Sequence, residues 1–180
     1  MRAWLASCLA IVALLLAGTA TAEAQTPNWH LDGGVAALVE TWDENDARES
    51  LAGMVAGVDR RVWKALAVRA EGVVLRVSQT GRDAWLRGVT IGVRSRWQRR
   101  RVAPFVGLAA GLSDSTRPVP PSGTAFNFLI VSGGGVEIPL GRASLDVGAR
   151  WFHVSNNGRA GNRNPDIQAL GLTIEIGLIH

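Results

Sequence analysis

The sequence predicts an all-β fold, an eight-stranded antiparallel up-and-down transmembrane β-barrel. Three observations predict it: eight short apolar segments between turn residues, connections that alternate between long and short, and side chains that alternate in polarity along the later segments. Glycine, Val, Ile and Thr are frequent inside the apolar segments, which favours strands over helices. At 180 residues and 47% hydrophobic content, the chain is long enough for one domain with a buried core, and it is not a disordered chain.

The first residues are typical of a secretory signal peptide. Met1-Arg2 is positively charged, an apolar run extends from Trp4 to Ala17, and Ala20-Thr21-Ala22 is a small-residue cleavage site. We therefore expect a signal peptide at 1–22, with cleavage after Ala24 as an alternative, and an outer-membrane barrel domain at 23–180. The single cysteine, Cys8, leaves with the signal, so the mature chain forms neither a disulfide nor a thiolate metal site.

The eight apolar segments define the predicted strands. No run of 18 apolar residues follows the signal, so no transmembrane helix is expected. The predicted strands fall at about 28–42, 51–58, 62–76, 84–97, 101–112, 125–138, 142–155 and 166–180.

The connections alternate as they do in an up-and-down outer-membrane barrel, with long extracellular loops and short periplasmic turns. The predicted long loops are polar and lie at 43–50, 77–83, 113–124 and 156–165, and the predicted short turns lie at 59–61, 98–100 and 139–141.

Polarity alternates along the last five predicted strands, as strands four, seven and eight show. In 142–155 an apolar row alternates with serine, aspartate, glycine and arginine, and 166–180 repeats the pattern. One face therefore suits lipid, and the other has charges that can pair in a narrow lumen. Strands one to three have no clean face, because Arg69, Glu71 and Arg76 interrupt their pattern.

Six tryptophans fall near predicted strand ends, where aromatic girdles meet the membrane interfaces. Those predicted at the short-turn end are Trp29, Trp63 and Trp97, and those at the long-loop end are Trp42, Trp85 and Trp151.

A soluble periplasmic ligand-binding barrel is the main alternative fold. Such a barrel would invert the two faces, with the apolar row inside and the charges in water. Alternation by itself does not distinguish the two arrangements.

Several classes of site are not indicated. His30 and His180 have no neighbours at metal-ligand spacing, so neither a metal nor another cofactor is expected. Basic residues outnumber acidic ones by 19 to 15, but the arginines are spread along the chain, so no nucleic-acid partner is expected.

His153 and Ser155 form the one constellation that suggests chemistry. Residues two apart on a strand share a face, with α-carbons roughly 6.5–7 Å apart, so the imidazole is within reach of activating the hydroxyl. Both continue the lipid-facing row of strand seven, and Asp166 and Gln168 continue the same row of strand eight. The alternative is that strand ends simply become polar where they leave the membrane.

At these residues the sequence resembles the lipid A 3-O-deacylase family of outer-membrane enzymes. The resemblance lies in His153-Val154-Ser155-Asn156, followed after a glycine-containing loop by Asn-Pro and a polar residue at the start of the last strand. It implies a cofactor-free serine esterase in the outer membrane that removes the ester-linked 3-hydroxy fatty acid at position 3 of lipid A.

The resemblance also implies roles for individual residues. Ser155 would be the nucleophile, His153 its general base and then acid, and Asn156 the oxyanion donor. The family's orienting glutamate falls on Gln168, whose carbonyl can accept the imidazole N–H but supplies no negative charge. Asp166, on the same face, is the fallback.

The expected partners are lipid A or lipopolysaccharide of the outer leaflet and the membrane itself. Arg159 and Arg163 in the last long loop are candidates for contact with lipid A phosphates. The sequence leaves open a homodimer. It also leaves open a non-catalytic small outer-membrane barrel with a structural or adhesion role.

Overall fold

Eight antiparallel strands close into one barrel. The computed structural model describes residues 29–42, 49–97, 101–158 and 164–179, so the predicted signal peptide lies outside the described residues. The strands are β1 (Trp29–Glu40), β2 (Ser50–Trp63), β3 (Leu66–Ser78), β4 (Ala84–Arg96), β5 (Ala103–Val119), β6 (Thr124–Leu140), β7 (Ala143–Ser155) and β8 (Asp166–Ile179).

Each strand pairs with the next one along the chain, and β1 pairs with β8 to close the cylinder. The predicted fold class, strand number and order are therefore confirmed. Among the described residues, no helix has the length and apolar character needed to cross a membrane.

The first predicted short turn is wrong. Residues 59–61 lie inside β2, which continues to Trp63, and the turn is at Lys64 and Ala65, where Lys64 adopts a positive φ of 38°. Asp59 is buried in the lumen beside Arg69, so its polarity reflects an interior ion pair and not a turn.

The predicted long loop at 113–124 is also wrong over most of its length. β5 and β6 extend as a hairpin to Val119 and from Thr124, which leaves only residues 120–123 as the turn. The hydroxyl of Ser115 donates to the backbone carbonyl of Ala125, at 2.9 Å, so a polar side chain here supports the hairpin.

The outer wall is apolar, as predicted. In β8, Leu172 is 64% exposed and Ile176 is 65% exposed, whereas their inward neighbour Glu175 is fully buried. Trp29, Trp63 and Trp97 lie at the short-turn end, and Trp42, Trp85 and Trp151 at or toward the long-loop end. This arrangement matches an apolar band between two aromatic girdles.

The inner wall changes character along the barrel axis. In β3, odd-numbered residues point inward, so Arg69 and Glu71 occupy the short-turn half of the lumen and Leu75 occupies the loop half. Arg76 instead lies on the outer face, where it contacts Asp83 at 2.6 Å. The sequence left the faces of strands one to three unassigned because their inward residues are charged in one half of the lumen and apolar in the other.

The short-turn half of the lumen is a network of buried ion pairs. Arg69 contacts Asp32 at 2.5 Å and Glu71 at 2.7 Å, and Arg150 bridges Glu71 and Glu175. Buried charges are tolerated only when paired in this way.

The loop half of the lumen is filled with apolar side chains. Its members include Leu51, Leu86, Leu129, Phe152 and Ile167, all at most 1% exposed. The soluble ligand-binding alternative required charges outside and apolar groups inside, and it is wrong, because the exposed wall is apolar and the buried charges are internal.

Candidate active site

The candidate site lies on the outer wall where β7 ends and β8 begins. In the register of this hairpin His153 is opposite Gln168, and Ser155 is opposite Asp166. All four continue the outward-facing rows of their strands, as the alternation predicted.

The backbone beneath these side chains is held by the apolar half of the lumen. The residues that alternate with them point inward, and Phe152, Val154 and Ile167 are completely buried. Such packing fixes the two strands, so outward side chains start from well-defined positions.

His153 and Ser155 are in hydrogen-bonding contact. Nε2 of the imidazole lies 3.0 Å from the Ser155 hydroxyl oxygen. Nδ1 lies 3.4 Å from a carboxylate oxygen of Asp166. The three groups therefore form a serine–histidine–aspartate row, in which a proton on Nδ1 faces the carboxylate and Nε2 is free to accept from the hydroxyl.

Gln168 takes a different place from the one the resemblance implied. Its amide nitrogen donates to the same Asp166 oxygen at 3.1 Å. A carboxylate attracts both an imidazole N–H and an amide N–H, whereas the glutamine carbonyl is a weaker acceptor for the imidazole. The structure thus brings the fallback residue Asp166 against the histidine and puts Gln168 behind it.

Asn156 follows Ser155 directly and is 1% exposed. Its side-chain oxygen accepts the Gly158 backbone N–H at 2.9 Å. Its side-chain nitrogen has no hydrogen-bond acceptor among the described residues, although it is buried. Most buried donors are paired, so this amide group is one that an incoming oxygen would satisfy.

Trp151 completes the surroundings of the histidine. Its ring stacks on the His153 ring, with centroids 5.7 Å apart and planes 19° apart. The sequence assigned Trp151 to an aromatic girdle and to the lipid-facing row that His153 and Ser155 continue, but not to the site. The spacing of two residues along a strand, which groups His153 with Ser155, is the signal that would have added it.

A second histidine–serine pair lies inside the lumen and was not predicted. His30 Nε2 is 3.1 Å from the Ser144 hydroxyl, and Nδ1 is 3.3 Å from an Arg96 nitrogen. The Ser144 hydroxyl lies 3.3 Å from Asp146.

His30 also has carboxylates on both sides, which the sequence spacing did not reveal. Nitrogen and oxygen atoms of His30, Glu137 and Asp146 lie within 4.8 Å of one another. Arg94 contacts Asp146 at 3.3 Å and Arg96 contacts Glu137 at 2.8 Å, so these carboxylates already have cationic partners. The donor set is that of an ion-pair network.

Arg159, Arg163 and His180 lie outside the described residues, so their predicted roles stay predictions.

Comparison with known proteins gives one family and several structures. The family model described as Lipid A 3-O-deacylase (PagL) matches residues 16–176. No curated protein sequence gives a significant match. Among solved structures, the outer membrane enzyme PagL is similar with a TM-score of 0.63 and 18% identity, over 79% of this chain and 97% of that chain.

Two other structures are similar in fold. Neisserial surface protein A has a TM-score of 0.62 and 13% identity, over 83% of this chain and 96% of its own. The outer membrane protein OprG from Pseudomonas aeruginosa has a TM-score of 0.60 and 11% identity, over 86% and 96%. At such identities the structural likeness establishes the barrel fold alone, and the family match carries the relationship.

Proposed function

The chain belongs to the lipid A 3-O-deacylase (PagL) family, and from that premise we propose that it is a serine esterase of the outer membrane. Its substrate would be lipid A, and the bond cleaved would be the ester of the 3-hydroxyacyl chain at position 3. The reaction requires no metal or other cofactor in this proposal.

The observation that best supports the proposal is the outward-facing pair of His153 and Ser155, with 3.0 Å between Nε2 and Oγ. Polar groups on a lipid-facing wall are unfavourable, although less so near the interface than at the midplane. A reaction on a substrate held in the outer leaflet would account for their position, because the acyl ester of such a substrate would lie near the same interface.

In the first half-reaction, the Ser155 hydroxyl oxygen attacks the ester carbonyl carbon while Nε2 of His153 takes the hydroxyl proton. The tetrahedral intermediate has a negative oxygen, toward which the Asn156 side-chain nitrogen, unpaired among the described residues, would donate. The bond from the carbonyl carbon to the sugar oxygen then breaks, and the imidazolium returns the proton to that oxygen. The acyl chain remains on Ser155.

In the second half-reaction, water replaces the sugar. His153 takes a proton from the water as it attacks the acyl-serine, and then returns that proton to the Ser155 oxygen. The products are a free 3-hydroxy fatty acid and the regenerated enzyme.

We assign the orienting role to Asp166, with Gln168 as its hydrogen-bond support. The carboxylate is 3.4 Å from Nδ1, and such contacts are often long before substrate binds. Its negative charge stabilises the imidazolium that forms in each half-reaction, which a neutral glutamine does not do.

The experiment is mass spectrometry of lipid A from cells that express the wild type, Ser155→Ala or Ser144→Ala. Loss of one 3-hydroxyacyl mass is expected with the wild type and with Ser144→Ala, because Ser144 is buried in the lumen. It is not expected with Ser155→Ala. Heat-dependent gel mobility checks that each barrel is folded.

The rival function is a non-catalytic barrel with a structural or adhesion role. That reading predicts identical lipid A from all three strains. A loss of acyl mass that persists in Ser155→Ala would instead refute the assigned nucleophile.

A further inference from the structure

Trp151 lies against the group that the proposed reaction depends on. Its ring faces the His153 ring at a centroid separation of 5.7 Å and an angle of 19°. Offset stacking of aromatic rings is favourable at separations of 4.5–7 Å. The two residues are two apart on β7, so the indole lies on the membrane side of the imidazole, away from the loop.

Other girdle tryptophans make a different kind of contact. At the short-turn end, the Arg60 guanidinium lies 5.5 Å from the Trp29 ring centroid, and the Lys64 ammonium lies 4.9 Å from that of Trp63. Those contacts join flexible surface cations to an interfacial ring. Trp151 instead contacts a partly buried side chain that is itself held by Ser155 and Asp166.

The stack supplies a constraint that the hydrogen-bonding partners do not. Contact with a flat indole fixes the plane of the imidazole, but a rotation of 180° about the Cβ–Cγ bond leaves that plane unchanged. The Asp166 carboxylate distinguishes those two orientations, because only one of them presents a nitrogen at the Nδ1 position. Plane and orientation together keep Nε2 directed at the Ser155 hydroxyl.

We infer that Trp151 is a positioning residue for His153 in the deacylation reaction. The inference rests on the proposed function and deepens it. The indole holds the imidazole plane, excludes acyl chains from the membrane-side face of the ring, and offers its π-face to the imidazolium that forms in each half-reaction. It does not touch the reacting atoms.

The test uses the mature protein in detergent micelles with purified lipid A. Trp151→Leu keeps an apolar side chain facing lipid but removes the ring, and kcat is expected to fall about 10-fold while KM stays within about twofold. Trp151→Phe keeps a flat ring and should restore kcat to within about threefold of the wild type. Trp85→Leu, on the outer wall at the same end, is the matched control and should leave both constants unchanged within about twofold.

A second measurement reports the stack without turnover. In the wild type, the indole ring current should displace the NMR signals of the His153 ring protons upfield, because the two rings are stacked. The displacement should be lost in Trp151→Leu and retained in Ser155→Ala.

The outcomes separate this inference from the proposed function. If the wild type is no faster than Ser155→Ala, the proposed function fails and the positioning role fails with it. If those two differ but Trp151→Leu has the kcat of Trp85→Leu, only the positioning role is overturned. A loss confined to KM also overturns it, because the indole would then bind substrate.

Discussion

The barrel contains two histidine–serine pairs at nearly the same distance, one on its outer wall and one in its lumen. His153 Nε2 is 3.0 Å from Ser155 Oγ, and His30 Nε2 is 3.1 Å from Ser144 Oγ. They differ in the partner of the other imidazole nitrogen. His153 Nδ1 faces the Asp166 carboxylate at 3.4 Å, whereas His30 Nδ1 lies between an Arg96 nitrogen at 3.3 Å and an Asp32 carboxylate oxygen at 3.6 Å.

The guanidinium beside His30 disfavours the tautomer that would activate Ser144. A guanidinium has no lone pair, so a hydrogen bond with Arg96 requires His30 Nδ1 to accept and Nε2 to carry the proton. His30 then donates to Ser144, whose hydroxyl donates to Asp146. If both His30 nitrogens are protonated, Nε2 again has no lone pair. In these two states His30 does not act as a base toward Ser144, and only a proton on Nδ1 directed at Asp32 would free Nε2 to accept from the hydroxyl.

Access differs as well. Ser144 is fully buried. The pair also packs tightly against Gly177, because a Cβ atom at that position would lie 2.4 Å from the Ser144 hydroxyl oxygen and 2.3 Å from His30 Nε2. The His153 side chain is 21% exposed, which leaves an approach from the membrane to the imidazole, and Ser155 beside it is 5% exposed. The distance between a histidine and a serine therefore does not define a hydrolase site. The proton on the imidazole and an open approach do.

The largest expected contrast is between His153→Ala and His30→Ala. His153→Ala should lower the deacylation rate by about 1,000-fold or more, because the general base is removed, and should leave the thermal stability unchanged. His30→Ala should keep the rate but lower the free energy of unfolding by about 1–3 kcal/mol, because buried partners lose their hydrogen bonds. Rate assays and urea unfolding in micelles measure the two effects. Loss of activity in His30→Ala would contradict the assignment of catalysis to the outer pair alone.

The next contrast tests which side chain orients the outer imidazole. Asp166→Asn should lower kcat by about 100-fold or more, because the tautomer and the stabilising charge are both lost. Gln168→Ala should lower kcat less than about 10-fold, since it removes only the support of Asp166. Single-turnover rates on lipid A compare the two. A larger loss in Gln168→Ala would return the orienting role to Gln168.

A smaller effect is expected at the oxyanion. Asn156→Ala should lower kcat about 10- to 100-fold with little change in KM. Asn127→Ala is the matched control, because Asn127 is equally buried but its amide nitrogen already donates to the Val119 and Thr124 carbonyls. That control should lower stability and leave kcat unchanged. Equal kcat values for the two variants would remove Asn156 from the mechanism.

The smallest effect is expected for charges in the last long loop. Replacing Arg159 and Arg163 with Ala should raise KM a few-fold without changing kcat, because phosphate contacts would bind substrate before and during reaction alike. Arg60→Ala with Arg61→Ala changes the same charge near the opposite end of the barrel. Equal KM values for the two double variants would refute the phosphate contact.

Much of the architecture was predictable because strand alternation is a local property. Strand number, order and the outward rows of β7 and β8 follow from a period of two and from turn residues. The turn at 59–61 was misplaced because a polar residue such as Asp59 is typical of a turn. In the structure Asp59 instead forms an ion pair with Arg69 of the neighbouring strand. Local patterns contain no information about such a partner.

The candidate site was likewise predictable only where it depends on spacing along one strand. Spacing along one strand was sufficient to group His153 with Ser155. Which residue approaches the imidazole from β8 was not predictable, because the register places Gln168 opposite His153 and Asp166 opposite Ser155. The diagonal contact from Asp166 to Nδ1 depends on side-chain directions, whereas the resemblance implied Gln168 for that role with Asp166 as the fallback.

The amino-acid sequence by itself determined the barrel and the common face that His153 and Ser155 share with the apolar row of their strand, because each follows from residues that are near neighbours along the chain. Only the tertiary structure decided that this row forms the outer wall, that Asp166 faces the imidazole, and that His30 and Ser144 form a buried pair within the ion-pair network of the lumen. Those contacts depend on which way side chains point when the cylinder closes and, for His30 and Ser144, on the alignment of strands far apart in sequence.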